Sequence, residues 1–222
     1  VDILIVHLDS AGTYVWGRSM GGTGTDNGNA IAIDSLGNSY ITGTYANTVD
    51  FDPGPGITNL TFNGATASGV DIFVLNLNNN GDLVWARGFG GPGKDTCRAI
   101  ALDDQLNIYL TGGFSGTVDF DPGIATLALT TSSVYTHNGF LVKFSNAGIL
   151  DWARAFGWTG GVVGMSIDVD YSGNVIITGE FLGTADLAPG PGGTVFIFYG
   201  FQDIFVSKFD GNGKFIWAKK VG

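Results

Sequence analysis

The chain has 222 residues, 44% of them hydrophobic and only 14% charged, which excludes a disordered polymer and leaves room for a sizeable core. Ten Lys+Arg against 20 Asp+Glu give a formal net charge of −10, which argues against nucleic acid or an anionic membrane surface as partner, since both need a surplus or cluster of cations. Cys97 is the one cysteine, so an internal disulfide and a thiolate metal cage are excluded, and no apolar run reaches the length of a transmembrane helix.

Taken in chain order, the elements are strands and turns. A hairpin is predicted over Asp2 to Met20, followed by a Gly-rich link, Gly21-Gly22-Thr23-Gly24-Thr25-Asp26. Ala30 to Ile33 alternates small and branched residues, as a strand in a crowded central position would, and Asn38 to Gly43 returns beside it. The Asp50-Phe51-Asp52-Pro53-Gly54 segment is a turn.

The order then repeats. Asp71 to Leu77 and Leu83 to Phe89 read as a hairpin closed by the Gly-containing turn Asn78 to Asp82. A link, Gly90-Gly91-Pro92-Gly93-Lys94-Asp95, leads to Ala99–Leu102 and Asn107–Thr111, and a further strand is predicted over Thr126 to Thr131. Simple alternation puts Phe73, Leu75 and Leu77 on one face with Leu83, Trp85 and Phe89, and Ile72, Val74, Val84 and Ala86 on the other. Both faces are largely apolar, so each sheet must be covered on both sides. With 37 Gly and no helical period anywhere, the chain is all-β.

The repeat is fixed by independent markers in one register. Trp16, Trp85, Trp152 and Trp217 are 69, 67 and 65 residues apart, and Gly43, Gly112 and Gly179 keep the same step, as do Asn38, Asn107 and Asn174. The turn recurs as Asp119-Phe120-Asp121-Pro122-Gly123 and, altered, as Asp186-Leu187-Ala188-Pro189-Gly190. Copies of about 68 residues cover approximately 1–69, 70–136 and 137–202 as one array, with a partial copy at 203–222. Sheets covered on both faces by neighbouring copies make propeller-type blades of antiparallel strands.

The Asp-Ile-Phe-Val hairpin, the Gly-Gly-x-Gly-x-Asp link, the Ala-Ile-Ala-Ile-Asp strand and the Asn-x-Tyr-Ile-Thr-Gly strand resemble the SBBP propeller repeats. The Asp-Phe-Asp-Pro-Gly turn is similar to a variant in multi-repeat surface proteins of that kind. The resemblance implies a bacterial extracellular or cell-surface protein and brings no catalytic activity with it. The third copy departs at Gly157-Trp158-Thr159-Gly160-Gly161, which lacks the acid, and at Ala188.

Candidate chemistry is sparse. Asp50 with Asp52, and Asp119 with Asp121, point the same way two residues apart, a start towards the six to eight oxygens of calcium; the competing role is an Asp accepting turn amides. Calcium is the only cofactor these residues suggest, and none is required. The Gly-rich links match the opening of the calcium nonapeptide of β-rolls, yet occur once per copy, which favours a plain connection. Each repeating Trp is followed two residues later by Arg18, Arg87, Arg154 or Lys219, a pair that would stack on glycans if exposed or pack between blades if not. Folding the hairpin predicts Asp71 as the partner of Arg87.

His7 and His137 are not equivalent and neither has a nucleophile motif beside it, Asp168 stands where Ala32 and Ala101 do, and Asn59-Leu60-Thr61 fits a glycosylation triplet. The expected function is a non-catalytic structural or interaction module, a segment or subunit of a larger assembly or fibre, meeting other copies of the repeat or other chains through exposed terminal hairpins. A propeller-type carbohydrate-active enzyme or a lectin with a site in the central channel is the alternative, with Asp168 as its one hint.

Overall fold

A computed structural model of the chain describes residues 1–64, 69–131, 137–157, 160–189, 193–197 and 202–221. Trp158 and Thr159 of the third link and Gly190 of the third turn lie outside them. The described residues contain no helix, hence none long and apolar enough to cross a membrane.

Three four-stranded antiparallel meanders carry the molecule. Blade one is β3 (Asn27–Ile33), β4 (Ser39–Tyr45), β7 (Asp71–Leu77) and β8 (Leu83–Phe89). Blade two is β9 (Thr96–Leu102), β10 (Ile108–Phe114), β13 (Asn138–Phe144) and β14 (Leu150–Phe156). Blade three is β15 (Val162–Val169), β16 (Val175–Phe181), β19 (Asp203–Phe209) and β20 (Phe215–Val221). The remaining hairpin, β1 (Ile3–Leu8) with β2 (Tyr14–Gly22), is the outer half of one more blade. Short hairpins sit at the rim: β5 (Thr48–Asp50) with β6 (Asn59–Thr61), which also joins β2 through Gly21↔Asp50 and Gly22↔Val49, β11 (Thr117–Asp119) with β12 (Ala128–Thr130), and β17 (Thr184–Asp186) with β18 (Val195–Ile197).

Every blade straddles two sequence copies. The inner pair of one copy, β3–β4, hydrogen-bonds through β4 to the outer pair of the next, β7–β8, with Ser39 opposite Leu77 and Tyr45 opposite Asp71. Thus the closing hairpin at Asp203–Val221, expected to be an uncovered remnant, is the outer half of blade three, joined along β16 from Val175↔Phe209 to Phe181↔Asp203. That pairing corrects the expectation of an unpaired strand edge at the closing hairpin, although its onward face remains exposed, with Ile204 at 53%.

Alternation along β7 holds, but its extension to β8 does not. Leu83 pairs with Leu77, Trp85 with Asn76, and Arg87 with Val74, so Val84 is an extra residue at a bulge and points to solvent. Trp85, Arg87 and Phe89 therefore share the face of Ile72, Val74 and Asn76, the reverse of the simple alternation. A bulge moves every later side chain to the other face.

The two faces of a blade pack on different neighbours. The onward face of blade one (Tyr40, Ile72, Val74) meets the rear face of blade two (Leu110, Phe140, Val142, Phe144) in one buried cluster. Blade two repeats this against blade three, with Ala101, Tyr109 and Leu141 on Ile177, Phe205 and Phe209. The onward face of β1–β2 (Ile3, Ile5, Trp16, Met20) covers Phe73, Leu75 and Leu77 on the rear of blade one. Each such large side chain withdrawn from water stabilises the fold by roughly 1.5–3 kcal/mol before entropy is counted.

Candidate functional site

The Asp-Phe-Asp turns close the rim hairpins. Asp50 Oδ1 accepts the amides of Asp52 (3.0 Å) and Thr58 (2.8 Å), and Asp119 Oδ1 accepts those of Asp121 (3.0 Å) and Leu127 (2.9 Å). Asp52 and Asp121 each take the amide of the turn glycine, Gly54 or Gly123, at 2.7 Å. The Phe between them is a core anchor: Phe51 lies 4.8 Å from the Phe73 ring and Phe120 5.3 Å from Phe140, centroid to centroid. In the third copy Asp186 still accepts the Ala188 amide at 3.0 Å, with buried Leu187 as the anchor. Among the described residues no three His, Cys, Asp or Glu side chains gather as a cation-holding group.

The Gly-rich links are held by their acid. Asp26 and Asp95 are fully buried, and each carboxylate joins two loops: Asp26 accepts the amides of Gly22 and Ala46, Asp95 those of Gly91 (2.8 Å) and Ser115 (3.1 Å). Burial pushes the Asp95 carboxyl up to about 7 against the pull of those two amides, and the nearby Asp71 charge adds to the rise. Asp71 is itself raised to about 6 by burial; its Oδ2 takes the Asn63 amide, and its Oδ1 has no partner. In the third copy buried Val162 stands at this position, and among the described residues its link is tied through the backbone, Leu182 N–H to the Gly161 carbonyl at 2.8 Å.

The Trp–cation pairs form one recurring device between blades. The Trp16 indole N–H donates to the Asn79 carbonyl (2.9 Å), while Arg18 donates to the carbonyls of Gly81 and Asn80 (2.9 and 2.8 Å). Trp85 donates to Asn146 (3.0 Å) with Arg87 on Gly148 (3.3 Å), and Trp152 to Gly211 (3.3 Å) with Arg154 on Asn212 (3.3 Å). Each guanidinium lies 5.4–5.6 Å from the ring it follows.

Each ring in turn rests on the glycine of a hairpin turn in the next blade. A Cβ at Gly81, Gly148 or Gly213 would come within about 3 Å of Trp16, Trp85 or Trp152 respectively. Those glycines have φ of +77°, +69° and +73°, so both conformation and close approach call for Gly. Arg87 therefore reaches the next blade's turn and not Asp71, because the Val84 bulge pairs it with Val74, three residues away from Asp71 along β7. Among the described residues no turn glycine meets Trp217, which is 38% exposed, against 8% for Trp16.

The other candidates do not converge. His7 stacks edge-on against Trp16 at 5.2 Å, His137 is exposed, and Asn59 is exposed on β6. Asp168 is exposed on β15 at the position of Ala101, which faces the following blade, so it lies on the onward face of blade three. Cys97 is buried and its thiol is pushed up to about 11, which makes it unreactive. A groove of about 680 Å³ beside the Trp85 device is lined by Asp34, Tyr40, Asn76, Trp85, Arg87 and Asn146. Its one carboxylate, Asp34, already accepts the amides of Leu36 and Asn38.

Residues 15–44 and 84–112 match the SBBP family, described as a beta-propeller repeat. Both stretches run from the outermost strand of one blade through the inner pair of the next, across the link that the structure ties down. The fold is that of propeller-type blades, and these two stretches carry the family's repeat. It is 24% identical over 240 residues to an uncharacterized WD repeat-containing protein of Acanthamoeba polyphaga mimivirus, covering 97% of this chain and 17% of that protein. It is 27% identical over 155 residues to the regulatory protein FlaEY of Caulobacter vibrioides, covering 66% of this chain and 16% of that one. The chain thus spans less than a fifth of either relative.

Buried Asp26 and Asp95 were missed as structural residues in the sequence. The signal was present: an acid closing the Gly-rich link in two copies, absent from the third together with the link's own pattern.

Proposed function

We propose that this chain is a non-catalytic structural and interaction module of a bacterial extracellular or cell-surface repeat protein. The observation that carries this reading is where the recurring polar residues go. The Trp–Arg pairs hold blade to blade, the buried Asp95-type carboxylates hold link to rim, and the Asp-Phe-Asp carboxylates hold their own turns. Residues kept in register for packing serve architecture, and the chain as a whole carries a net charge of −10. Relatives described as a WD repeat-containing protein and a regulatory protein are compatible with a binding module, and both are far longer than this chain. In this reading the partners are other repeats of the same kind, met through blade faces, and surface glycans are secondary.

The location is tested by antibody staining of the cells that make the protein. Labelling of intact cells or of the culture medium is expected; labelling that needs permeabilised cells contradicts it. Turnover of any member of a glycan panel by the purified chain would contradict the non-catalytic part.

A further inference from the structure

The Trp–cation devices are alike, but the residue that stands beside each ring is not. Across the outer hairpin His7 faces Trp16, Asn76 faces Trp85 and Lys143 faces Trp152. His7 stacks edge-on against Trp16, and Lys143 lies 5.6 Å from the Tyr109 ring with its ammonium 3.4 Å from Asp151. Asn76 is too short to do either. The groove of about 680 Å³ opens beside it, and Trp85 is only half-buried. Both walls of this groove are complete four-stranded blades, one and two.

Polar groups around the groove have hydrogen-bonding capacity left over. Asn76 is 5% exposed and its Nδ2 makes no hydrogen bond; the nearby Tyr40 hydroxyl donates instead to Asn146 Oδ1 at 2.6 Å. An unpaired buried donor is costly, and a bound acceptor relieves that cost. Arg18 and Arg154 spend Nη2 on the carbonyls of Asn80 and Asn212, and Arg18 also meets Asp82. Arg87 Nη2 has no partner among the described residues, and Ile149 stands where Asp82 does. Asp34 Oδ2 takes one bond, from Asn38 Nδ2 at 2.8 Å, and keeps a lone pair.

A second observation points to the same groove. Leu106, which lines it, holds φ +60° in the β9–β10 turn, where the matching turns use Gly37 at +83° and Gly173 at +75°. A bulky residue at positive φ costs stability, and such strain gathers at ligand clamps.

One carboxylate and one guanidinium balance in the groove, and the chain's net charge of −10 works against an anionic ligand. What fits is a neutral molecule whose hydroxyls accept from Arg87 and donate to Asp34, with an apolar face to lie against Trp85 and Leu106. We propose that the groove between blades one and two binds a neutral sugar ring of a glycan. This rests on the reading of the chain as an interaction module and gives glycans a definite place in it.

NMR of the Trp85 indole N–H tests it, during titration of the full chain with cellotetraose, maltotetraose, mannotetraose and N-acetylchitotetraose, and with tetragalacturonate as the acidic comparison. At least one neutral tetrasaccharide is expected to shift the Trp85 signal saturably at millimolar concentration and to leave Trp16 and Trp152 in place. Asn76→Lys should weaken that binding about tenfold or more, and Leu106→Gly about threefold or more. Both changes copy residues that the fold already carries at matching positions, Lys143 and the glycines Gly37 and Gly173, so the fold is kept, as thermal melts will verify. The proposal is overturned by four neutral sugars that leave Trp85 unmoved, by tighter binding of tetragalacturonate, by equal shifts at all three indoles, or by wild-type affinity in either variant. Location and turnover are read by other experiments, so the module reading survives a chain that binds no sugar.

Discussion

The onward face of blade two and the onward face of blade three are built on the same strands in the same register, yet one is buried and the other is open. Outside, they agree: Leu141 and Val206, Trp152 and Trp217, Arg154 and Lys219 occupy matching positions. Inside, they part, with Ala101 and Gly113 in one and Asp168 and Glu180 in the other. The difference teaches that a blade has two separable contact zones. The outer zone is a ring-on-glycine clasp with apolar flanks, and the inner zone is a close backbone approach that only small side chains allow.

The most damaging way to break the comparison is to move a blade-three residue into blade two. Gly113→Glu should bury a carboxylate against Val163 and cost several kcal/mol, about 4 or more, enough to threaten the fold. Glu180→Gly, the reverse change, should cost only about 0.5–1 kcal/mol, the backbone entropy of a Gly inside a strand. Urea unfolding of both reads this out; similar midpoints would show that the inner zone is not close-packed.

Next in size is the clasp. Trp85→Ala should cost about 2–4 kcal/mol, somewhat below a fully buried aromatic because this ring is half-buried. Trp217→Ala should leave the monomer's melting temperature nearly unchanged. Equal losses from the two would mean that the ring matters for its own sheet and not for its neighbour.

A smaller effect separates the links. Asp95 holds its proton more tightly folded (about 7) than unfolded (3.8), so the native state binds more protons across that window. Its contribution to stability therefore falls as pH rises from about 4 to about 7, and the chain should melt higher at pH 5 than at pH 8. Relief of the net negative charge acts in the same direction. The Asp95→Asn variant distinguishes the two, since its melting temperature should vary less with pH over the same range. An unchanged slope would show that Asp95 does not carry the effect.

The smallest expected effect concerns the rim turns. Asp50 and Asp119 already accept two backbone amides each, so millimolar calcium and chelator should give the same melting temperature. A rise with calcium that is lost in Asp119→Asn would establish the ion reading for these turns.

Much of this was legible in the sequence, and the rest was hidden for identifiable reasons. The repeat, the hairpins at Asp71–Phe89 and the two apolar faces follow from local spacing, because strand alternation and turn glycines are local properties. The joining of β4 to β7 across a copy boundary is a long-range pairing with no mark of its own in the residues. The extra residue Val84 reversed the face of Trp85 and misdirected Arg87 to Asp71, since a bulge leaves the composition of a strand unchanged. The carbonyls that receive Trp85 and Arg87 are main-chain atoms of Asn146 and Gly148, which no pattern of side chains announces. Only the glycine beneath the ring was visible, as a turn residue.

Three indole rings are clasped by a neighbouring blade, and among the described residues nothing clasps the fourth. Indole N–H exchange, measured by NMR on the assigned Trp16, Trp85, Trp152 and Trp217 signals, separates them. Slow exchange is expected for Trp16, Trp85 and Trp152, whose protons are bonded to Asn79, Asn146 and Gly211, and fast exchange for Trp217. Four indoles exchanging alike would contradict it.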